Sequence, residues 1–208
     1  VAINRNRVAN AMGVEPGALV GVHQIHSSLV TTVTEPGPQG RADAMVSTTP
    51  GLALAILTAD CMPILLADTS AGVIGAVHAG WRGALSGVLE ATVDAMEALG
   101  AKRDRIAAAV GPCISQRAYE VGRDFMERFM DEDPEHSQFF TMGPRGKPLV
   151  AEIMHKKAVL KGIKGEHDVV ALNTDALTTR RRIVQRIPPK NLIEAEYSNF
   201  AAPSTGVV

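Results

Sequence analysis

The chain has 208 residues, 46% of them hydrophobic and 21% charged, with a formal net charge of -1. That length and mixture fit a globular chain with a sizeable core. The near-neutral balance gives no electrostatic footprint for a nucleic-acid polyanion, though a local cluster of donors could still take a small anion such as phosphate. No apolar run reaches the roughly 18 residues of a membrane span, and the opening Val-Ala-Ile-Asn-Arg is no signal peptide, so no membrane association is expected. Two cysteines, Cys61 and Cys113, make no disulfide framework, which points to the cytoplasm. Aromatic residues are 4% of the chain, too few for an extended base-stacking platform.

In chain order, Ile3 to Met12 has helical spacing and stops at Gly13. Pro16-Gly17 makes a turn. Two β-rich stretches follow, Ala18 to Ile25 and Leu29 to Thr34, with His26 at the bend between them. Glu35 to Gly40 reads as a surface loop. Leu52 to Leu57 is a continuous apolar run, expected to be a strand buried on both faces. Thr58-Ala59-Asp60-Cys61 ends it. Pro63 opens a second strand over Ile64 to Ala67, and Val73 to Val77 forms a third. A helix from about Ala84 to Leu99 places Leu85, Val88, Leu89, Thr92, Met96 and Leu99 on one face, with Gly100 as its stop. Ile106 to Val110 is a further buried strand, followed by Gly111-Pro112-Cys113. Gly122 to Met130 reads as a helix, Asp131 to Gln138 as a polar loop, Ala151 to Leu160 as a helix and Asp168 to Leu172 as a strand. The opening resembles a meander and the centre alternates strands with helices, so the expected class is mixed α/β.

Three features fall at strand ends: Gln24-Ile25-His26, Thr58-Ala59-Asp60-Cys61-Met62-Pro63 and His78-Ala79-Gly80-Trp81-Arg82-Gly83. Imidazole and thiolate are good zinc ligands, and three protein ligands leave a fourth position open, as in a catalytic zinc site. The ligands are widely separated in sequence with no short metal-binding spacing, and a free cysteine is also a common core residue, so spacing alone leaves both readings open. Asp60 could orient a ligand or carry a proton, or simply cap a turn. Arg82, before a helix, could grip a phosphate, or Trp81 could plug the core edge while Arg82 pairs with a carboxylate. Tyr119 and Glu120 could line a pocket, and Cys113 reads as an inert thiol. His23 would face away from His26 in a strand. His136, His155 and His167 read as solvated surface, and Arg180-Arg181-Arg182 as a solvated face.

These blocks, together with Arg41-Ala42-Asp43-Ala44, Gly111-Pro112-Cys113-Ile114 and Tyr119-Glu120-Val121-Gly122, closely resemble the YfiH/laccase-domain family in order and spacing, from about Asn4 to Gly165. The resemblance implies a single domain over 1–208, short of an N-terminal segment, with a mixed-sheet layered fold like that of the cytotoxic necrotizing factors. It implies a zinc ion held by His26, Cys61 and His78. It also implies phosphorolysis of adenosine, inosine and methylthioadenosine, with deamination of adenosine. Substrates would be small molecules, purine nucleosides and phosphate. Asp60, Cys61, His78 and Arg82 become the candidate catalytic residues, with Arg41, Arg82 and Tyr119 on substrate. Two departures stand out: the family's Gly-rich opening is missing, and Arg182 to Pro189 replaces an aromatic and arginine-rich block. Three other readings compete: a copper-dependent polyphenol oxidase, a metal-free hydrolase with Cys61 as nucleophile and His78 as base, and a non-catalytic metal-stabilised interaction module.

Overall fold

The computed structural model describes residues 2–114, 116, 118–150 and 169–171. The readings for Ala151 to Leu160, His155, His167, Arg180 to Arg182 and the tail lie outside the described residues.

Helix α1 (Ala2–Ala11) ends where Gly13 takes a positive φ of 69°, and Val14 N–H donates back to the Ala9 carbonyl. Four short strands follow: β1 (Leu19–Val20), β2 (Val30–Thr32), β3 (Ala44–Ser47) and β4 (Ala53–Leu54). They do not form a meander. β1 pairs with β4 and β2 with β3, both in parallel. The apolar run Leu52 to Leu57 contributes only the two residues of β4, and Leu57 is 73% exposed. The chain there is extended but thin. Leu52, Leu54 and Ile56 alternate onto a cluster with Val20, Val33 and Met45, while Ala53 and Ala55 face Ala9 and Leu19 on the other side. Period-two alternation is therefore present without a long ladder.

The centre is built by β5 (Met62–Asp68), β6 (Val73–Ala79), β7 (Ala107–Val110) and β10 (Val169–Ala171). With β2 and β3 they give a six-stranded mixed sheet in the order β10-β7-β5-β6-β3-β2. β5 lies between β6 and β7, antiparallel to both, with Pro63 opposite His78. Pro63, which has no N–H to give the ladder, stands second in the strand, where its carbonyl takes the Gly111 N–H at 2.9 Å.

The sequence periodicity predicts one helix over Ala84 to Leu99, but the chain makes two. α2 (Trp81–Leu85) is a single short turn of helix, and α3 (Val88–Ala98) starts afresh after Gly87, which has φ 78°. Glycine is the residue that takes this left-handed conformation at little cost. The break lets α3 lay Val88, Leu89, Val93 and Met96 on Ile64, Leu66, Val77 and Val110. A second, smaller body carries α4 (Arg123–Glu132), a 3-10 segment Pro134–Phe139, and the hairpin of β8 (Phe140–Met142) and β9 (Pro148–Val150). The expected polar loop at Asp131 to Gln138 is thus mostly helical. His136 is half-buried within it rather than solvated: its Nδ1 lies 2.8 Å from the Phe129 carbonyl, and its ring meets Phe129 and Phe139. A Pro at the start and Asp133 accepting from the Glu135 N–H account for the helical turn there.

At the far end of β5, Asp68 is fully buried. It accepts from the amides of Ser70, Ala71 and Lys102 and from the Arg105 guanidinium, its closest contact there being 2.7 Å. The Arg105 partner, with these amides, outweighs burial and holds the Asp68 carboxyl far below its ordinary value of 3.8. A carboxyl so depressed contributes its stability above the ordinary value and loses it as pH falls toward the lowered one. Asp68→Asn is expected to lower Tm by roughly 5 °C or more at pH 7. In scanning calorimetry the gap from the parent protein should narrow below about pH 4.

Candidate functional site

Three chain segments meet at one end of the central strands. His26 comes from the turn after Gln24-Ile25, Cys61 is the residue before β5, and His78 is the penultimate residue of β6. Their ligating atoms lie within 4.8 Å of one another. Cys61 Sγ is 3.7 Å from His26 Nε2, and the two imidazoles stand edge to face with centroids 4.8 Å apart. His78 is 3% exposed, Cys61 is half-buried and His26 is open to solvent, so the cluster is reachable from one side.

Local contacts explain why these segments converge. The Gln24 side chain pairs with the backbone of Leu57 in both directions, at 2.7 Å and 2.9 Å, and so ties the His26 turn to the loop that carries Asp60 and Cys61. The Ile114 N–H donates to the Asp60 carbonyl and ties the Gly-Pro-Cys loop to the same place. The two glycines of the His78 to Gly83 segment are there for clearance. A Cβ on Gly80 would lie 2.6 Å from the His26 ring and 3.1 Å from the Cys61 sulfur, and one on Gly83 would lie 2.9 Å from the Ser27 carbonyl.

Asp43 is the residue that sequence reasoning missed. It sits in the quoted Arg41-Ala42-Asp43-Ala44 block, yet a lone aspartate there looks like any turn or cap residue. It is wholly buried. Its carboxylate lies 2.8 Å from His78 Nδ1 and accepts from the amides of Ile25, His26 and Ser27 and from the Ser27 hydroxyl. Three successive N–H groups curling round one carboxylate make an anion nest. His26 sits inside it at φ 60°, in the left-handed region that non-glycine residues rarely adopt. Burial works against the charged form of Asp43, but the Ser27 amide, His78 and the other donors prevail and hold its carboxyl below 3.8. Burial pushes the Cys61 thiol up, with the Asp60 and Asp43 charges adding to it.

The remaining candidates surround this cluster unevenly. Asp60 is exposed beside Cys61. Tyr119 is half-buried, and its phenol is pushed up by burial and by the charges of Cys61 and Asp60, which places it within electrostatic reach of the cluster. Trp81 does plug a core, packing at 4.8 Å on Phe125 and 5.9 Å on Phe129. Six of the eight Phe, Tyr and Trp residues gather in that cluster, so the low aromatic content is concentrated rather than dispersed. Arg82 is exposed and lies over the Trp81 ring at 5.0 Å; among the described residues it forms no salt bridge with a carboxylate. α2, at five residues, is too short to offer a helix N-terminus for phosphate. Arg41 is on the surface, bridged through its backbone to His23, which stands outside the cluster. Glu120 pairs with Arg145 and Lys147 and lines an open cavity of about 350 Å³ with Lys147 and Pro148. Cys113 is buried in the main core.

The donor set suits a metal. Tetrahedral zinc with ordinary bond lengths puts a nitrogen and a sulfur ligand about 3.6 Å apart, close to the 3.7 Å between His26 Nε2 and Cys61 Sγ. With Nδ1 of His78 engaged by Asp43, Nε2 is the ring atom left to bind.

A layered α/β domain with a histidine–cysteine cluster at the ends of its central strands is the class defined by these observations. Residues 1–180 match the family described as multi-copper polyphenol oxidoreductase laccase, and the chain belongs to that laccase-domain, or YfiH, family. A Corynebacterium glutamicum protein named purine nucleoside phosphorylase is 51% identical over 125 residues, covering 58% of this chain and 51% of the relative. The Shigella flexneri purine nucleoside phosphorylase YfiH is 43% identical over 151 residues, 72% of this chain and 60% of the relative. Among solved structures, the Bacillus licheniformis hypothetical protein YfiH shares the fold with a TM-score of 0.75 at 21% identity, over 82% of this chain and 69% of its own. The chain thus spans about half the length of the Corynebacterium relative and three fifths of the Shigella one. Among the described residues no helix is long and apolar enough to cross a membrane.

The clearance at Gly80 yields a test. Gly80→Ala keeps an ordinary backbone, since φ there is -73°, but drives a methyl into the cluster. It is expected to weaken metal binding at least tenfold, measured by chelator competition, with an unchanged far-ultraviolet circular dichroism spectrum.

Proposed function

We propose that this chain carries the active site of a zinc-dependent purine nucleoside phosphorylase that takes adenosine, inosine and methylthioadenosine and also deaminates adenosine. The observation that carries the reading is the approach of His26, Cys61 and His78 to within 4.8 Å, on a face open to solvent. The names of the relatives support the nucleoside chemistry.

In this reading His26 Nε2, Cys61 Sγ and His78 Nε2 hold the ion, which supplies Lewis acidity and one open position when bound. Burial pushes the Cys61 thiol up, and ion binding would release its proton. Arg82, exposed over Trp81, and Arg41, also exposed, take phosphate oxygens. In phosphorolysis a phosphate oxygen forms the bond to ribose C1′ as the C1′–N9 bond breaks. The purine leaves with the electron pair and takes up a proton. Tyr119, held in its protonated form, can donate a hydrogen bond to the nucleoside. In deamination water adds at C6 and ammonia leaves, with Asp60 carrying the proton from the water to the departing amine.

Copper fits the same donors by the general affinity order. The multi-copper chemistry in the family description calls for further ligand clusters, and His26, Cys61 and His78 form the one such group among the described residues. The hydrolase reading is not favoured, because the 3.7 Å imidazole contact of the Cys61 sulfur comes from His26 and burial pushes the thiol up rather than down.

Zinc-loaded protein incubated with inosine and phosphate is expected to release hypoxanthine, followed by chromatography. His78→Ala should lower that rate by at least 100-fold and strip zinc from the purified protein. Arg82→Ala should raise the KM for phosphate about tenfold with zinc retained. Phosphate-independent release, or full activity without zinc, would contradict the reading.

A further inference from the structure

Asp43 touches both histidine segments of the site. One oxygen, Oδ1, meets His78 Nδ1 at 2.8 Å and the His26 amide at 2.9 Å; the other, Oδ2, meets the Ser27 amide at 2.6 Å and the Ser27 hydroxyl at 2.7 Å. The Ile25 amide is shared between them at 3.1 Å and 3.2 Å. The Asp43 backbone carbonyl also accepts the His78 N–H at 2.7 Å, so the two residues are locked by main chain and side chain together. Continuing the antiparallel β3–β6 register by one residue sets Asp43 opposite His78, whereas Ile25 to Ser27 lie outside any strand and turn their amides to the Asp43 carboxylate without a ladder.

We propose that Asp43 is a positioning residue that sets both imidazoles at once, keeping the ring proton of His78 on Nδ1 so that Nε2 faces the ion, and holding the turn that presents His26. The consequence for metal affinity rests on the zinc reading above; the consequence for the His78 tautomer does not. A carboxylate has about four lone-pair sites, and these already face the donors of Ile25, His26, Ser27 and His78. Asp43 is therefore spent as an acceptor and is no fourth ligand in spite of its nearness, which leaves that position to a small molecule. An asparagine is nearly the same size but has one acceptor oxygen and an NH2 group. Its NH2 must face either the His78 ring, forcing the ring proton to Nε2, or the Ser27 amide, opening the turn. Outer-shell partners of this kind are worth roughly 10- to 100-fold in metal affinity.

The test uses the whole chain as parent, Asp43→Asn and Ser27→Ala. The ring nitrogen shifts of His78 in metal-free protein should show the proton on Nδ1 in the parent and on Nε2, in whole or part, in Asp43→Asn. Zinc affinity by chelator competition should fall 10- to 100-fold in Asp43→Asn, and several-fold in Ser27→Ala, which keeps the His78 contact and the parent tautomer. A parent His78 protonated on Nε2, or a folded Asp43→Asn with parental zinc affinity, overturns the proposal. Should Asp43→Asn fail to fold, parental zinc affinity in Ser27→Ala overturns it. A parent that binds no zinc but shows the tautomer and its loss in Asp43→Asn sinks the zinc reading and leaves the positioning role standing.

Discussion

The site depends on a buried negative charge being completely surrounded by donors. Taking a carboxylate out of water is costly unless its hydrogen bonds are replaced. Asp43 replaces them with the amides of three consecutive residues, a hydroxyl and an imidazole. The same contacts hold His26 at a positive φ, a conformation that costs a non-glycine residue about 1–2 kcal/mol. The strained turn, the buried charge and the ordered ring stabilise one another, so removing one leaves the others exposed to their full cost.

Around that centre the chain solves a spatial problem with glycine. Two imidazoles, a thiol and a tryptophan must pack where β6 becomes α2. Side chains at Gly80 and Gly83 would collide with His26, Cys61 and Ser27. The glycine-bracketed segment from His78 to Gly83 is in this respect a close-packed joint. Trp81 reaches away from the joint into the aromatic cluster with Phe125 and Phe129, and Arg82 covers its face. The smaller body formed by α4 and the β8–β9 hairpin is thereby connected to the cluster through adjacent residues.

Much of the frame was legible in the sequence. β5, β6 and β7 follow from short apolar runs bounded by turns, and the buried face of α3 follows from helical spacing. The pairing at the start was not legible, and the expected meander is absent, because the partners of two- and three-residue strands depend on distant chain. Leu52 to Leu57 alternates as a strand does, yet its neighbours leave a ladder for only Ala53 and Leu54. The break at Gly87 hides inside a good helical pattern. His26, Cys61 and His78 were picked out through resemblance to a family, since nothing in their spacing brings them together. Asp43 had no local signal: its importance comes from donors 16 to 18 residues before it and from a ring 35 residues after it.

X-ray absorption at the zinc edge of the zinc-loaded chain tests the central claim most directly. The account predicts one sulfur neighbour at about 2.3 Å and two imidazole nitrogens at about 2.0–2.1 Å, with one light atom completing the shell. A shell of nitrogen and oxygen alone, with no sulfur, would contradict it.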